Sequence, residues 1–188
     1  MVEAQDIQRE PGEDVISVLL RQHQRIRDLL DDVTTAEGLH KKHAFDELRA
    51  LLAAHETAEE MILRPQTVAA DHGDVADRRN QEEYESNVVL AELEKLSVTS
   101  PEFDERFAPF RLAVLEHAEN EEREEFPVVT QNLSREALIG MGRQLVAAER
   151  IAPTHPHPST AGSPMAQWTV GPIASVIDRV KDAIRKAA

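Results

Sequence analysis

Residues 45–65 read FDELRALLAAHETAEEMILRP, and residues 107–127 read FAPFRLAVLEHAENEEREEFP. The second stretch repeats the residue types of the first at a constant offset of 62 positions, which is too regular to attribute to chance. The matching pairs are Phe45 and Phe107, Leu48 and Phe110, Leu52 and Val114, His55 and His117, Glu59 and Glu121, Glu60 and Glu122, and Pro65 and Pro127. Apolar residues at spacings of three and four predict a helix in each copy, with the histidine on the apolar face and a glutamate one turn later.

Helical periodicity continues outside the repeat, and no stretch predicts a strand. We expect long helices at about 14–35, 42–64, 77–96 and 100–132 and a shorter one at about 134–150. Ser100 and Ser134 are suited to cap the last two helices, while the prolines at 65, 109 and 127 should end or distort a helix. The sequence therefore predicts an all-α bundle over residues 1–150, with an additional short helix.

The composition changes after residue 150. Residues 152–169 hold four of the ten prolines and show no helical period, which is typical of a linker. Beyond Pro172 a narrow apolar stripe predicts an amphipathic helix. We expect this helix in residues 151–188 to dock on the bundle or on a partner subunit, and a place on a membrane surface is the less favoured alternative, because Asp178 and Asp182 dilute its basic face.

The composition also excludes several classes of function. A net charge of −14 repels phosphate backbones and anionic lipids, so neither nucleic acid nor a membrane is an expected partner, whereas a cation is. The absence of Cys excludes disulfides, thiolate metal sites and thiol redox chemistry. Neither a membrane span nor a signal peptide can be recognised, and we expect a cytoplasmic protein.

A third histidine, His23, lies on the apolar face of the first predicted helix. By itself, a histidine in this position is more often a core residue bonded to a carbonyl, and a His and Glu one turn apart are more often a surface pair. The combination changes this interpretation, because burying carboxylates is costly unless they are paired or coordinate a metal. Three histidines and two glutamates on core-facing stripes therefore favour a dinuclear metal site.

These residues resemble those of the hemerythrin-like proteins, also called the HHE cation-binding domain family. The resemblance rests on His23, on HETAE at 55–59, on EEYESNVVLAELEKL at 82–96 and on HAENEE at 117–122. It implies an up-down four-helix bundle that encloses two non-haem iron ions, bridged by glutamate carboxylates and an oxo or hydroxo group. The matching ligands are His23, His55, Glu59, His117 and Glu121. Glu60 and Glu122 are adjacent, so a shift of one residue in the bridging carboxylate stays open.

The chain departs from the family pattern in the third long helix. Tyr84 stands where the family usually has a histidine, and Val88 stands where oxygen carriers have another. We expect Tyr84 to bind iron as a phenolate and to take part in catalysis. The alternatives are that Tyr84 is a packed ring and that Glu83 is the substitute ligand. An anionic oxygen donor should favour ferric iron, which places reversible oxygen carriage in doubt.

The resemblance and these departures together favour a di-iron centre that reacts with small oxidants, most of all by disproportionating hydrogen peroxide. That reaction needs no external electron donor, which suits a chain without cysteine. One alternative is a module that binds oxygen or nitric oxide without turnover, and another is an acidic bundle with an interaction role. The expected partner is thus a small molecule, and the chain should be a monomer or a homodimer. Manganese or mixed loading is open, because oxygen and nitrogen ligands accept both metals.

Overall fold

The structure, a computed structural model, describes residues 12–149. Its helices are α1 (Val15–Thr35), α2 (Gly38–Ile62), α3 (Arg64–Ala69), α4 (Gly73–Leu93), α5 (Pro101–Asn120), α6 (Phe126–Asn132) and α7 (Arg135–Glu149). A π-helical segment, Glu121–Glu125, connects α5 to α6 directly. The described range contains no strand, which confirms the all-α prediction. The boundary predicted at residue 150 and the predicted linker and helix of 151–188 lie outside the described residues.

Helices α1, α2, α4 and α5 form the bundle. In this bundle α1 packs on α2, α2 on α4, α4 on α5, and α5 on α1. Short connections between consecutive long helices produce antiparallel neighbours, so the expected up-down four-helix arrangement is confirmed. No helix within residues 12–149 has the length and apolar character needed to cross a membrane.

Helix α7 is the expected additional helix, and it packs on α1 and α2. Gly142 permits this close packing, since a Cβ atom there would lie 2.6 Å from the carbonyl oxygen of Glu13. The bundle is thereby thickened at the end where α1 begins.

Side-chain caps and prolines set the helix ends. Ser100 caps α5 by accepting a hydrogen bond of 3.2 Å from the Phe103 amide, and Ser134 caps α7 in the same way through Ala137, as predicted. Helix α2 ends at Ile62 before Pro65, and α3, which the sequence did not predict as a separate helix, follows immediately.

The π-helical segment coincides with the second copy of the repeat. The Phe126 amide donates to the carbonyl of Glu121, five residues back. Pro127 has no N–H to offer the Arg123 carbonyl, and its ring would clash with that carbonyl in a regular helix. The wider turn accommodates the proline, and such turns are frequent at functional sites.

Two apolar clusters fill the bundle, one toward each end. One cluster includes Ile26, Leu52 and Val114, and the other includes Leu19, Ala58 and Phe126. His23, His55 and His117 lie between these residues along their helices, at the level where the two clusters meet. Polar side chains therefore occupy the middle of the bundle with apolar packing on both sides.

Candidate metal centre

The residues between the two apolar clusters form two overlapping groups of candidate metal ligands. The first group, which we call position A, consists of His23, His55, Glu59 and Glu121. The second group, position B, consists of Glu59, Glu83, His117 and Glu121. Within each group the ligand atoms lie within 4.8 Å of one another, and all of these residues are buried. Glu59 and Glu121 belong to both positions and so have the arrangement of bridging carboxylates.

Four helical segments supply these side chains. His23 comes from α1, His55 and Glu59 from α2, Glu83 from α4 and His117 from α5, while Glu121 opens the π-helical segment. A spacing of four residues places each repeated His and Glu on one helix face. Accordingly, His55 Nε2 lies 3.4 Å from Glu59 Oε2, and His117 Nε2 lies 3.3 Å from Glu121 Oε1. The ring of His23 completes the contact across the bundle, with Nε2 3.3 Å from Glu121 Oε2.

Each histidine ring is held through its other nitrogen. His23 Nδ1 lies 2.7 Å from Glu122 Oε1, His55 Nδ1 2.7 Å from Gln22 Oε1, and His117 Nδ1 2.8 Å from Glu82 Oε2. All three partner atoms are acceptors, so in the neutral form that can bind a metal Nδ1 donates and Nε2 presents its lone pair toward the centre. A partner of this kind fixes the tautomer and orientation of a metal-binding histidine.

Several buried polar atoms that face the centre have no hydrogen-bond partner. Within residues 12–149 they include His23 Nε2, His117 Nε2, both carboxylate oxygens of Glu59, Glu83 Oε2 and Glu121 Oε2. Buried acceptors normally have donors, and so many together would be strongly destabilising unless a cation satisfied them. The imidazole and carboxylate donors suit iron, manganese or zinc. This donor set therefore fits a pair of transition-metal ions.

A buried arginine lies against the same carboxylates. Arg64, at the start of α3, is only 3% exposed, and its Nη2 hydrogen-bonds Glu83 and lies 2.7 Å from Glu121 Oε1. Its Nη1 donates to Glu125, which also accepts a hydrogen bond of 2.6 Å from Thr67. Neither Arg64 nor Glu125 could be recognised from the sequence as part of the site, because neither stands at a position of the repeated motif.

The two copies of the motif have opposite electrostatics. Burial raises the pKa of Glu59 well above its usual range, and nearby Glu121 raises it further. Burial would also raise the pKa of Glu121, but His117 and Arg64 together lower it well below its usual range. The histidines differ correspondingly, since the neutral form is favoured in the first copy and the charged form in the second. Burial, aided by His23, lowers the pKa of His55, whereas Glu121 overcomes the effect of burial and raises that of His117.

Of the two candidate ligands on α4, Glu83 belongs to this cluster, while the phenolate ligand and the catalytic role expected for Tyr84 stay predictions. The Tyr84 side chain is 43% exposed on the same face of α4 as Val88, while Glu83 is 1% exposed and lies in position B. The reason is helical geometry, because one residue turns the side chain by about 100°. The buried face of α4 holds Glu83, Asn87 and Leu90 at helical spacing, and this signal was present in the sequence.

The neighbouring acidic residues have other roles. Glu122 is 29% exposed and contacts His23 and Arg27, so Glu121 and not Glu122 faces both positions. Glu60 is buried but belongs to neither group of ligands. His40, His43 and His72 are exposed and belong to neither group of ligands.

Comparisons with known proteins agree with this geometry. The family model "Hemerythrin HHE cation binding domain" matches residues 14–129. An uncharacterized hemerythrin-like protein of Schizosaccharomyces pombe is 22% identical over 138 residues, which cover 72% of this chain and 68% of that protein. The crystal structure of a hemerythrin HHE cation-binding domain-containing protein from Mycobacterium kansasii aligns with a TM-score of 0.67 at 21% identity, covering 87% of this chain and 98% of that one. The match spans most of the chain and includes every candidate ligand, so this protein belongs to the hemerythrin HHE cation-binding domain family.

Proposed function

We propose that this protein holds two non-haem iron ions in positions A and B and uses them to disproportionate hydrogen peroxide. The observation that carries the proposal is the buried pair of positions with shared carboxylates, Glu59 and Glu121. Two adjacent cations would each keep a histidine-containing ligand set and would satisfy the unpaired acceptors at the centre. Family membership supports a bound cation, and the nitrogen and oxygen donors support iron.

Glu83 supports oxidant chemistry over reversible oxygen carriage. Glu83 supplies a carboxylate oxygen at position B. The family pattern instead has a histidine on this helix, at the position of Tyr84. An anionic oxygen donor stabilises ferric iron more than a neutral imidazole does, and reversible oxygen binding needs an accessible ferrous pair. A carboxylate of Glu83 at position B should therefore favour ferric iron, as expected of a Tyr84 phenolate.

Disproportionation balances without any further reactant. One molecule of hydrogen peroxide is oxidised to dioxygen and gives up two electrons and two protons, and these reduce a second molecule to two molecules of water. When bound, the iron pair would supply the two-electron redox capacity for both halves. Since the chain contains no cysteine, thiol-based peroxide reduction is excluded.

The protein itself contributes orientation and burial. Glu122, Gln22 and Glu82 hold the three imidazoles with Nε2 toward the centre. Apolar packing on both sides keeps bulk water away from the carboxylates, and Phe126 stacks on the ring of His23 at 5.5 Å between centroids. Only a small oxidant such as peroxide suits so enclosed a centre.

A matched pair of variants on one helix tests the proposal. Glu83→Gln replaces one oxygen at position B by a neutral amide nitrogen, whereas Tyr84→Phe removes one oxygen from the exposed face of α4. With iron content measured alongside, oxygen evolution from hydrogen peroxide should fall more than about tenfold in Glu83→Gln, as for other losses at metal sites. It should stay within about twofold in Tyr84→Phe.

The alternative is oxygen or nitric oxide binding without turnover. That function would give long-lived adducts in the visible spectrum and no oxygen evolution from the iron-loaded parent protein. An iron-loaded protein that behaves in this way, or a Glu83→Gln variant with full turnover, would contradict the proposal.

A further inference from the structure

Arg64 contacts the carboxylates of position B and none of the histidines of position A. Its Nη2 hydrogen-bonds Glu83 Oε1, lies 2.7 Å from Glu121 Oε1 and lies 3.9 Å from Glu59 Oε2. These are the three carboxylates of position B, of which Glu59 and Glu121 are shared with position A and Glu83 belongs to position B alone. A permanently charged guanidinium therefore stands where the acidic ligands of that position converge.

The rest of the guanidinium is also fixed in place. Nη1 hydrogen-bonds Glu125, a fully buried residue of the π-helical segment, and Thr67 donates to the other oxygen of Glu125. An arginine with buried carboxylates on both terminal nitrogens has no low-energy route to solvent, because leaving would strand those carboxylates without a counter-charge. Arg64 should consequently stay beside position B while metal binds.

Position A has a different environment. Within residues 12–149, its two histidines contact Phe126, Gln22 and Glu122, and none of these partners is a cation. Glu83 and Glu121 each keep one oxygen free of hydrogen bonds although the other oxygen contacts Arg64. Metal can thus bind at both positions, but at position B it must do so next to a fixed positive charge.

We propose that Arg64 competes electrostatically with the ion at position B, so that the protein fills position A first and binds the second ion more weakly. This inference rests on the dinuclear centre proposed above and does not depend on peroxide turnover. A nearby like charge changes the affinity of a site for a proton by roughly 10- to 1000-fold, and we expect at least about a tenfold gap between the two metal affinities.

The test is an anaerobic titration of the metal-free protein with Co(II), followed by visible absorption and by equilibrium dialysis. The parent protein should show two steps, a tight one and a weak one. Arg64→Gln, which keeps an amide donor but no charge, should strengthen the second step at least about fivefold, whereas Arg64→Lys, which keeps the charge, should preserve the gap.

Two histidine variants identify the position that fills first. His55 belongs to position A alone and His117 to position B alone. His55→Ala should remove the tight step, and His117→Ala should leave it and remove the weak one. If His117→Ala removes the tight step instead, the proposed order is wrong.

Loss of Arg64 could also unfold the protein, because Glu83 and Glu125 would lose their counter-charge. The double variant Arg64→Gln with Glu125→Gln removes one charge of each sign and should show the same strengthened second step. Either of two results would overturn this inference and leave the dinuclear centre standing. One is two equal metal affinities in the parent protein. The other is a second binding step that is unchanged or weaker in both Arg64→Gln and the double variant, with both proteins folded. A parent protein that binds no Co(II) would overturn the dinuclear centre itself, and this inference with it.

Discussion

The His-x-x-x-Glu motif occurs in α2 and again where α5 passes into the π-helical segment, yet the chain continues differently beyond each copy. After Glu59, α2 ends at Ile62 and the chain turns into α3. After Glu121, the helix continues through the π-helical segment into α6. At the matching position five residues after the glutamate, the first copy has Arg64 and the second has Phe126.

That single difference gives positions A and B different neighbours. Phe126 stacks on His23 beside position A, whereas Arg64 binds the carboxylates of position B. The repeated motif thus determines which atoms converge, and the residues after it determine the charge around those atoms. Glu121 has cationic partners, while neither oxygen of Glu59 has a hydrogen-bond partner.

The largest effect should come from removing a carboxylate that the two positions share. Because Glu59 belongs to both positions, Glu59→Ala should lose both ions together, with an affinity loss larger than the roughly 10- to 100-fold typical of residues that only support a ligand. Elemental analysis of purified protein measures this. Glu122→Gln is the control. Within the centre the Glu122 side chain contacts only His23 Nδ1, so this variant should retain both ions at saturating metal. A Glu59→Ala protein with a full pair of ions would contradict the bridging role.

Removing the metal should destabilise the whole bundle. The unpaired acceptors of the centre then remain buried without a cation, and a ligand at about a thousand times its Kd contributes about 4 kcal/mol to stability. For a chain of this size, 1 kcal/mol corresponds to a Tm shift of about 2–4 °C, so we expect metal-free protein to melt roughly 8–16 °C lower. Calorimetry before and after chelation measures the shift. Equal Tm values would mean that the carboxylates need no counter-charge.

Most of the fold, and the convergence of most candidate ligands, could be predicted from the sequence. Periodicity placed the long helices, and the offset of 62 residues identified both His-x-x-x-Glu pairs that the structure brings together. Such features are local, since a spacing of four residues fixes a helix face without knowledge of the neighbouring helices.

The remaining features depend on packing between helices. Tyr84 was expected as the α4 ligand because it stands at the position of the family's histidine. The buried face of α4, which includes Glu83 and Asn87, favours Glu83 instead. Arg64 could not be assigned, because its partners Glu83 and Glu125 come from other helices and no local pattern relates the three. The opposite pKa shifts of Glu59 and Glu121 also depend on packing, through burial and through charges such as Arg64 that come from other helices.

A third prediction compares the shared glutamates directly in metal-free protein. The folded state raises the pKa of Glu59, so its contribution to stability is present below about pH 4.5 and is lost as the pH rises through the folded value. Glu59→Gln does not ionise and should therefore be more stable than the parent protein at pH 7, by about 2 kcal/mol, with the difference vanishing toward pH 4.

Glu121 should behave in the opposite way. Its folded pKa is lowered, so its contribution is present above about pH 4.5 and is lost as the pH falls. Glu121→Gln should cost about 2 kcal/mol at pH 7 and less in acid. Urea unfolding of both metal-free variants across this pH range measures the difference, and effects of the same sign would refute the asymmetry between the two copies.

The smallest effect concerns the contact that joins the two continuations of the motif. Thr67 in α3 donates a hydrogen bond of 2.6 Å to Glu125 in the π-helical segment, and both residues are buried. Thr67→Val keeps the shape of the side chain but removes the hydroxyl donor. One carboxylate oxygen of Glu125 then loses its hydrogen bond, while the other keeps its contact with Arg64. Because hydrogen bonds to charged groups contribute about 1.5–3 kcal/mol, the metal-loaded variant should lose about 1.5 kcal/mol of unfolding free energy.

Thr57→Val is the matched control, since Thr57 donates only to the Ala53 carbonyl within α2 and should cost about 0.5 kcal/mol. Metal content should be unchanged in both variants, because neither threonine belongs to position A or position B. Equal costs for the two threonines would mean that Arg64 alone satisfies Glu125. A larger cost at Thr67, with metal content unchanged, would show that α3 and the π-helical segment support each other independently of the metal ligands.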